Sequence, residues 1–314
     1  MRRAEMTAVK LNVALDWAGP EAPRDELFPD PVTTIRPAQQ LLPVVLSSPH
    51  SGRDYPALFL SASRLDATAI RRSEDSFVDE LFAEAARAGA PLLAANFPRS
   101  YLDVNREPYE LDPAMFTDPL PAHANTRSLR VSAGLGTIAR VVREGAEIYK
   151  KKLTLAEAES RIHALYVPYH EGLRELIETT AAKFGHAILL DCHSMPSIGA
   201  AGERDFGHSR ADIVLGDRYG AACASIVMRT AESMLSSLGY RVSRNQPYAG
   251  GFSTEHYGRP RIGLHALQIE INRALYMDED RFELTPGFKA LSADMAKLVR
   301  ALGALPAIDL RGIR

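Results

Sequence analysis

Along the chain, short continuous apolar runs alternate with longer segments whose apolar residues recur every three or four positions. The first run is Leu42–Ser48, closed by Pro49-His50-Ser51-Gly52. A β-branched run ended by proline and glycine predicts a buried strand that enters a loop. From Asp66 to about Gly89, the residues Ile70, Phe77, Val78, Leu81, Phe82 and Ala85 mark one face of an amphipathic helix. Pro91–Phe97 predicts the next strand, and a polar loop carrying Asp103-Val104-Asn105-Arg106 follows. Thr137–Lys150 and Thr154–Phe184 read as helices, the second kinked or broken near Pro168 and ended by Gly185. His186–His193 predicts a strand that delivers Asp191, Cys192 and His193 at its carboxyl end. Ala211–Gly216, a helix around Tyr219–Leu238, and Tyr240–Arg244 continue the alternation. Leu267–Asn272 alternates strictly, so it predicts a strand with one apolar and one polar face. A last helix spans roughly Pro286–Leu302.

Strands alternating with long helices imply an α/β sheet covered on both faces, whose ligands sit beyond the carboxyl ends of the strands. The organisation expected is an extended lead-in over 1–40, Pro-rich from Gly19 to Pro37, followed by a single domain over 41–314. The 98–135 and 194–210 loops are the expected walls of its site. Composition narrows the function classes. At 314 residues, 46% apolar and with a formal charge of −2, the chain has no basic excess for nucleic acid or an anionic membrane. Glu5, Lys10 and Asp16 interrupt any signal-peptide core, and no run is long enough for a membrane helix. Two cysteines, Cys192 and Cys223, make neither a disulfide framework nor a four-thiolate site. A cytoplasmic location follows as the expectation, with no nucleic-acid or membrane partner; the oligomeric state is left open.

Motifs for nucleotide phosphates, for a nucleophilic serine and for His-Glu-x-x-His are absent. What remains is a set of histidines and acids at strand ends. His50 and His193 each follow a buried run and precede a serine, and Glu74-Asp75 precedes the apolar helix face. Two imidazoles and one carboxylate make a three-ligand zinc site that keeps a position open for water. The competing reading is an ordinary polar residue at a strand terminus, and the two matching histidines bring the two readings level. Asp191, on the same side of its strand as His193, could orient an imidazole. Glu270 lies on a polar strand face between Gln268 and Asn272, as a general base and acid would, or as the partner of Arg273 in an ion pair. Arg99, Arg106, Arg259, Arg261 and Arg273 cluster in loops and suit an acidic substrate if they face one cleft. Gly250-Gly251-Phe252 and His256-Tyr257-Gly258 read as a flexible polar loop that could wall a substrate. Cys192 is expected to turn into the core, with no base placed for it.

Several of these segments, in order, resemble the N-formylglutamate amidohydrolase family. They are Ser48-Pro49-His50-Ser51-Gly52, Glu74-Asp75 before Val78-Asp79-Glu80-Leu81, Leu102-Asp103-Val104-Asn105-Arg106, Asp191-Cys192-His193-Ser194, and Gly250-Gly251 through His256-Tyr257-Gly258 to Glu270. The matches span residues 43–277. The resemblance implies a three-layer α/β/α sandwich with a mixed, largely parallel sheet, related to zinc carboxypeptidases and the phosphorylase/hydrolase-like folds. It implies one divalent metal ion, zinc first and iron, cobalt or manganese as alternatives, held by His50, Asp75 and His193, with Glu270 as the acid/base. Asp75 is preferred over Glu74 because the family pattern has an aspartate four residues before the one matching Asp79. Arg106, Arg259, Arg273 and His256 are the implied substrate contacts. The implied reaction is hydrolysis of the formyl amide of N-formyl-L-glutamate, or of a close N-acyl acidic amino acid, as at the end of one histidine-degradation route. Ser76-Phe77 replaces a Trp-His pair of the best-known deformylases, a departure that bears on the substrate. An amidase for another C–N bond and a non-catalytic binding module on the same fold are the alternatives; keeping all four of His50, Asp75, His193 and Glu270 argues against the latter.

Overall fold

The computed structural model describes residues 25–142, 145–199 and 205–312. Its middle layer is a seven-stranded sheet of β1 (Val32–Ile35), β2 (Val44–Ser48), β3 (Leu92–Ala95), β4 (Ala187–Met195), β5 (Ile213–Gly216), β6 (Val242–Arg244) and β7 (Leu264–Asn272). The spatial order is β1-β3-β2-β4-β7-β5-β6. The central strands β3, β2, β4 and β7 run parallel, while β1 and the β5–β6 pair run against their inner neighbours. Parallel strands covered on both faces need near-continuous apolar runs, and every residue of β2, β4 and β7 is buried.

The strand side chains divide between two cores. Val44, Leu46, Leu190, Cys192 and Ile269 pack with the helices Val78–Arg87, Ser225–Ser237 and Gly287–Gly303. On the other face, Val45, Leu189 and Ala266 meet Tyr169 and Leu173 of the helix Val167–Phe184, with Leu102 and Val104 of the following loop layer. The fold is thus the expected three-layer α/β/α sandwich. Toward the carboxyl ends of the strands, this second face changes from apolar to polar. Ser47 sits opposite Asp191, Asp191 opposite Gln268, and His193 opposite Glu270.

Several expected elements take a different form. The helix expected from Asp66 to Gly89 is broken into a 3-10 turn, Ala69–Ser73, and the helix Val78–Arg87. Between them Glu74 is extended and Phe77 is left-handed, with φ 64°. The cause is the buried Glu74 carboxylate, which accepts from Arg71, Tyr55 and Ser76 and so fixes a turn rather than a helix. Thr137–Lys150 forms no α-helix among its described residues. It folds back on itself instead, with Val142 N–H donating to Ala146 O and Ile148 N–H to Arg140 O, both at 2.9 Å. Gly145, at φ 78°, supplies the left-handed residue for the reversal. The long helical stretch begins at a Thr154–Glu157 capping box and runs through a π turn, Ile162–Tyr166, into the helix Val167–Phe184 that carries Pro168 in its first turn. The expected flexible loop at Gly250–Gly258 contains the short helix Phe252–Tyr257, because the buried Tyr257 hydroxyl bonds His170 Nδ1 at 2.9 Å. Within the stretch read as a lead-in, Val32–Ile35 is the edge strand β1; residues 1–24 lie outside the described residues.

Candidate metal centre and catalytic pocket

Three chain segments meet at the carboxyl end of β2 and β4. His50 stands just past β2, where a Cβ on Gly52 would lie 2.1 Å from the Phe97 carbonyl oxygen. Only glycine lets this loop pass the end of β3 so closely. Asp75 comes from the break between the 3-10 turn and the following helix, and its N–H donates to His50 O at 3.0 Å. His193 lies on β4 itself. One ligand atom from each of His50, Asp75 and His193 falls within 4.8 Å of the others. Asp75 Oδ2 is the shared point, 3.3 Å from His50 Nδ1 and 3.0 Å from His193 Nδ1.

The far side of each imidazole is anchored. His50 Nε2–H donates to Asp103 Oδ1 at 2.7 Å, and His193 Nε2–H to Asp191 Oδ2 at 2.9 Å. With a proton at each Nε2 held by a carboxylate, an ion at the common centre would replace the Nδ1 protons that now bond Asp75 Oδ2, the arrangement that orients and strengthens imidazole ligands. Asp191 is itself held by Ser47 Oγ at 2.9 Å, and Ser47 by Tyr169 Oη at 2.7 Å. Asp103 is paired to Arg99 at 2.7 Å and Arg106 at 3.4 Å. Asp75 Oδ1, the oxygen turned away from the imidazoles, accepts from Arg273 Nη2 at 3.1 Å. Two nitrogens and one oxygen, all buried, with the second ligand atoms already engaged, fit a divalent ion that keeps further positions for water and substrate.

The electrostatics point the same way. Burial alone would raise the Asp75 carboxyl, but hydrogen bonds from His193 and His50 outweigh it and hold Asp75 well below the carboxylate range. Burial alone would lower His193, but the charge of Asp191 and hydrogen bonds to Asp191 and Asp75 lift it well above the ordinary imidazole value. Glu270, across from His193 on β7, is driven the opposite way: burial lifts its carboxyl to about 7. Its Oε1 accepts from Gln268 Nε2 at 2.9 Å, and Gln268 Oε1 accepts from Gly251 N–H at 2.7 Å. A Cβ on Gly251 would press within 2.5 Å of Asn105 Nδ2, so glycine allows this loop to close over the site.

Asp75, Glu270, Arg99, Arg106 and Arg273 line one pocket with Leu135 and Tyr248, and His50 and His193 line its continuation. The structure therefore brings six of the expected site residues together: His50, Asp75, His193, Glu270, Arg106 and Arg273. Two of these are engaged in ways the sequence did not indicate. Arg273 is bound to Asp75, to Ser194 Oγ at 3.1 Å and to Arg72 O at 3.4 Å, so its guanidinium braces the Asp75 carboxylate. Arg106 donates to Leu135 O and Asn105 O, both at 2.8 Å, and burial lowers it to about 10. The other two lie elsewhere. Arg259 and His256 line a separate cleft, which adjoins the pocket through Arg130 and Arg218. Arg259 donates to the carbonyls of Glu255 and Gly258, and burial lowers His256 to about 4. Glu74 faces away, into its bonds with Arg71 and Ser76. Sequence reasoning missed Asp103 as the partner of His50 and Arg99 behind it. The available signal was Asp103-Val104-Asn105-Arg106, where polar and apolar residues alternate inside a loop. Cys192 is in the core, and burial pushes its thiol up.

Comparison with known proteins follows this geometry. The family model described as N-formylglutamate amidohydrolase matches residues 42–277. A crystal structure of N-formylglutamate amidohydrolase from Ralstonia eutropha JMP134 superimposes with a TM-score of 0.78 at 38% identity, covering 86% of this chain and 95% of that one. N-formylglutamate deformylase from Pseudomonas aeruginosa is 29% identical over 266 residues, 83% of this chain and 90% of the relative. The protein of that name from Pseudomonas putida is 28% identical over 244 residues, 77% and 84% of the two chains. No helix among the described residues is long and apolar enough to cross a membrane.

Proposed function

The chain belongs to the N-formylglutamate amidohydrolase family, hydrolases of an amide bond, and from that premise we propose that it hydrolyses the formyl amide of N-formyl-L-glutamate to formate and glutamate. The reaction as proposed is metal-dependent and cytoplasmic and serves histidine degradation. The observation that carries this reading is the buried His50–Asp75–His193 cluster, with each imidazole backed by its own carboxylate and with Glu270 beside it. His50 Nδ1, His193 Nδ1 and Asp75 Oδ2 would hold the ion; zinc suits a set of two imidazoles and one carboxylate. Once bound, such an ion supplies Lewis acidity toward a carbonyl and acidifies water.

The chain's own groups do the rest. Glu270 takes a proton from the attacking water and returns it to the departing amine nitrogen, a role suited to a carboxyl lifted to about 7 by burial. Gln268 holds one Glu270 oxygen, leaving the other for the proton. Arg106, with Arg99 beside it, supplies the positive wall for a substrate carboxylate. Leu135, Ala139 and Val141 give the same pocket an apolar side for the substrate methylenes. Arg259 and His256 serve a longer or second group only from the adjoining cleft.

The test is formate release from N-formyl-L-glutamate before chelation, after it, and after zinc is restored. Activity that disappears and returns supports the substrate and the metal together. Retained metal with no formate under any condition refutes the substrate and leaves other N-acyl amino acids to be screened. Activity that survives stripping of the metal refutes the metal dependence.

A further inference from the structure

On the outside of the loop layer lies a second pocket, lined by Arg64, Arg140, Glu147, Lys150, Lys151 and Lys152 against an apolar floor. Among the described residues, five cations and one anion share this concavity in a chain whose total charge is −2. Three segments supply them: Arg64 after the first short helix, Arg140 from one arm of the 137–150 reversal, and the lysine triplet beyond its other arm. Lys151 and Lys152 have no hydrogen bond or ion pair among the described residues, and both are exposed. Glu147 sits between the two arginines at 3.6 Å from Arg140 Nη1 and 3.7 Å from Arg64 Nε, loose ion pairs that lack hydrogen-bond geometry. Among the described residues, the other carboxylate the pocket's cations engage is Asp112, on Arg140 Nε at 2.8 Å. Lys150 Nζ donates to the Ser61 carbonyl and so fixes one edge.

We propose that this pocket binds a small, multiply charged phosphate anion of the diphosphate class, at a site separate from the catalytic pocket. Lysine ammonium groups act as point charges for phosphate, and the outer nitrogens of the two arginines add donors; Glu147 and Asp112 reach only the arginines and leave Lys151 and Lys152 unmatched. Phosphate oxygens enter where Glu147 now lies, so Glu147 is the internal competitor for the site. The location gives the site a short connection to the reaction. Arg140 faces it, while Ala139 and Val141 on either side line the catalytic pocket. The same segment is tied to the metal centre, because Asp103 N–H donates to Thr137 O at 2.7 Å.

The test is calorimetric titration of the full chain with inorganic pyrophosphate, beside sodium chloride at matched ionic strength. Saturable binding is expected with pyrophosphate alone. Lys151→Ala/Lys152→Ala should weaken it about tenfold or more, and Glu147→Gln should tighten it several-fold. All three positions are exposed, so the variants keep the fold, which thermal melting verifies. Heats that sodium chloride reproduces, an affinity unchanged by the double lysine substitution, or weaker binding by Glu147→Gln would each overturn the proposal. None of these readouts uses the amide substrate, so the result is independent of the proposed reaction.

Discussion

Arg273 offers the sharpest separation between two roles for one side chain. A substrate contact was expected of it, yet its guanidinium holds Asp75 Oδ1 at 3.1 Å while Oδ2 alone faces the two imidazoles. The two side chains are only 7% and 2% exposed, so solvent screens the pair little. In Arg273→Gln the carboxylate loses its brace and is free to rotate or to present both oxygens. Removing an outer partner of a metal ligand costs about 10- to 100-fold in metal affinity, or about 1.4–2.7 kcal/mol. The same substitution strands a buried charge and lowers the stability of the metal-free protein by about 3–5 kcal/mol. Zinc affinity, measured by competition with a fluorescent chelator, should fall in that range, while the KM for N-formyl-L-glutamate at saturating zinc stays near the wild-type value. Arg273→Lys should fall between, because an ammonium cannot reach Asp75, Ser194 and the Arg72 carbonyl together. Wild-type zinc affinity in Arg273→Gln combined with a tenfold higher KM would refute the bracing role and restore the substrate contact.

Glu270→Gln should keep its metal, by elemental analysis, and lose turnover by about a hundredfold or more; near-normal turnover would remove Glu270 as the base. His50→Ala and His193→Ala should both lose stoichiometric metal, and so should Asp75→Ala but not Glu74→Ala. Gly52→Ala forces a Cβ against the Phe97 carbonyl and should destabilise the fold by about 3 kcal/mol or more in denaturant titration. His170 is lowered to about 3 by burial, so the folded state leaves it neutral while the unfolded chain protonates it near 6.5. Its contribution is complete above that value and is lost as pH falls toward 3; melting between pH 6 and 4 should show a slope smaller by about one proton in His170→Gln.

The reach of sequence reasoning differed by element. β2, β4 and β7 were legible because a buried parallel strand leaves little choice of residue, so His193 and Glu270 stood out against apolar neighbours. His50 was legible for a related reason, as a polar residue released by Pro49 and Gly52. Glu74-Asp75 stood out as an acidic pair, but only the family resemblance chose Asp75; the apolar pattern read as an unbroken helix, because the break at Glu74–Phe77 is set by contacts of Glu74 with Arg71 and Tyr55. Thr137–Lys150 was misread for the same kind of reason. Ile138, Val142 and Ile148 are buried by the reversal at Gly145, not along one helix face. The partner of His50 was out of reach of local reasoning, since Asp103 is 53 residues away and joins it only when β3 is beside β2.

That separation also sets an order of assembly. Asp75 stands 25 residues from His50 and 118 from His193, so the three donors have no common neighbourhood until β2 and β4 are paired. Closing loops of such length is slow compared with forming any one helix. The ion proposed for this site would therefore have nothing to recognise in an early intermediate, and its capture would mark a chain that has already completed the middle of its sheet. Escape follows the same path in reverse. On the proposed metal site, a mature protein would release its ion at the rate at which that end of the sheet opens, making the dissociation rate a clock for that local unfolding.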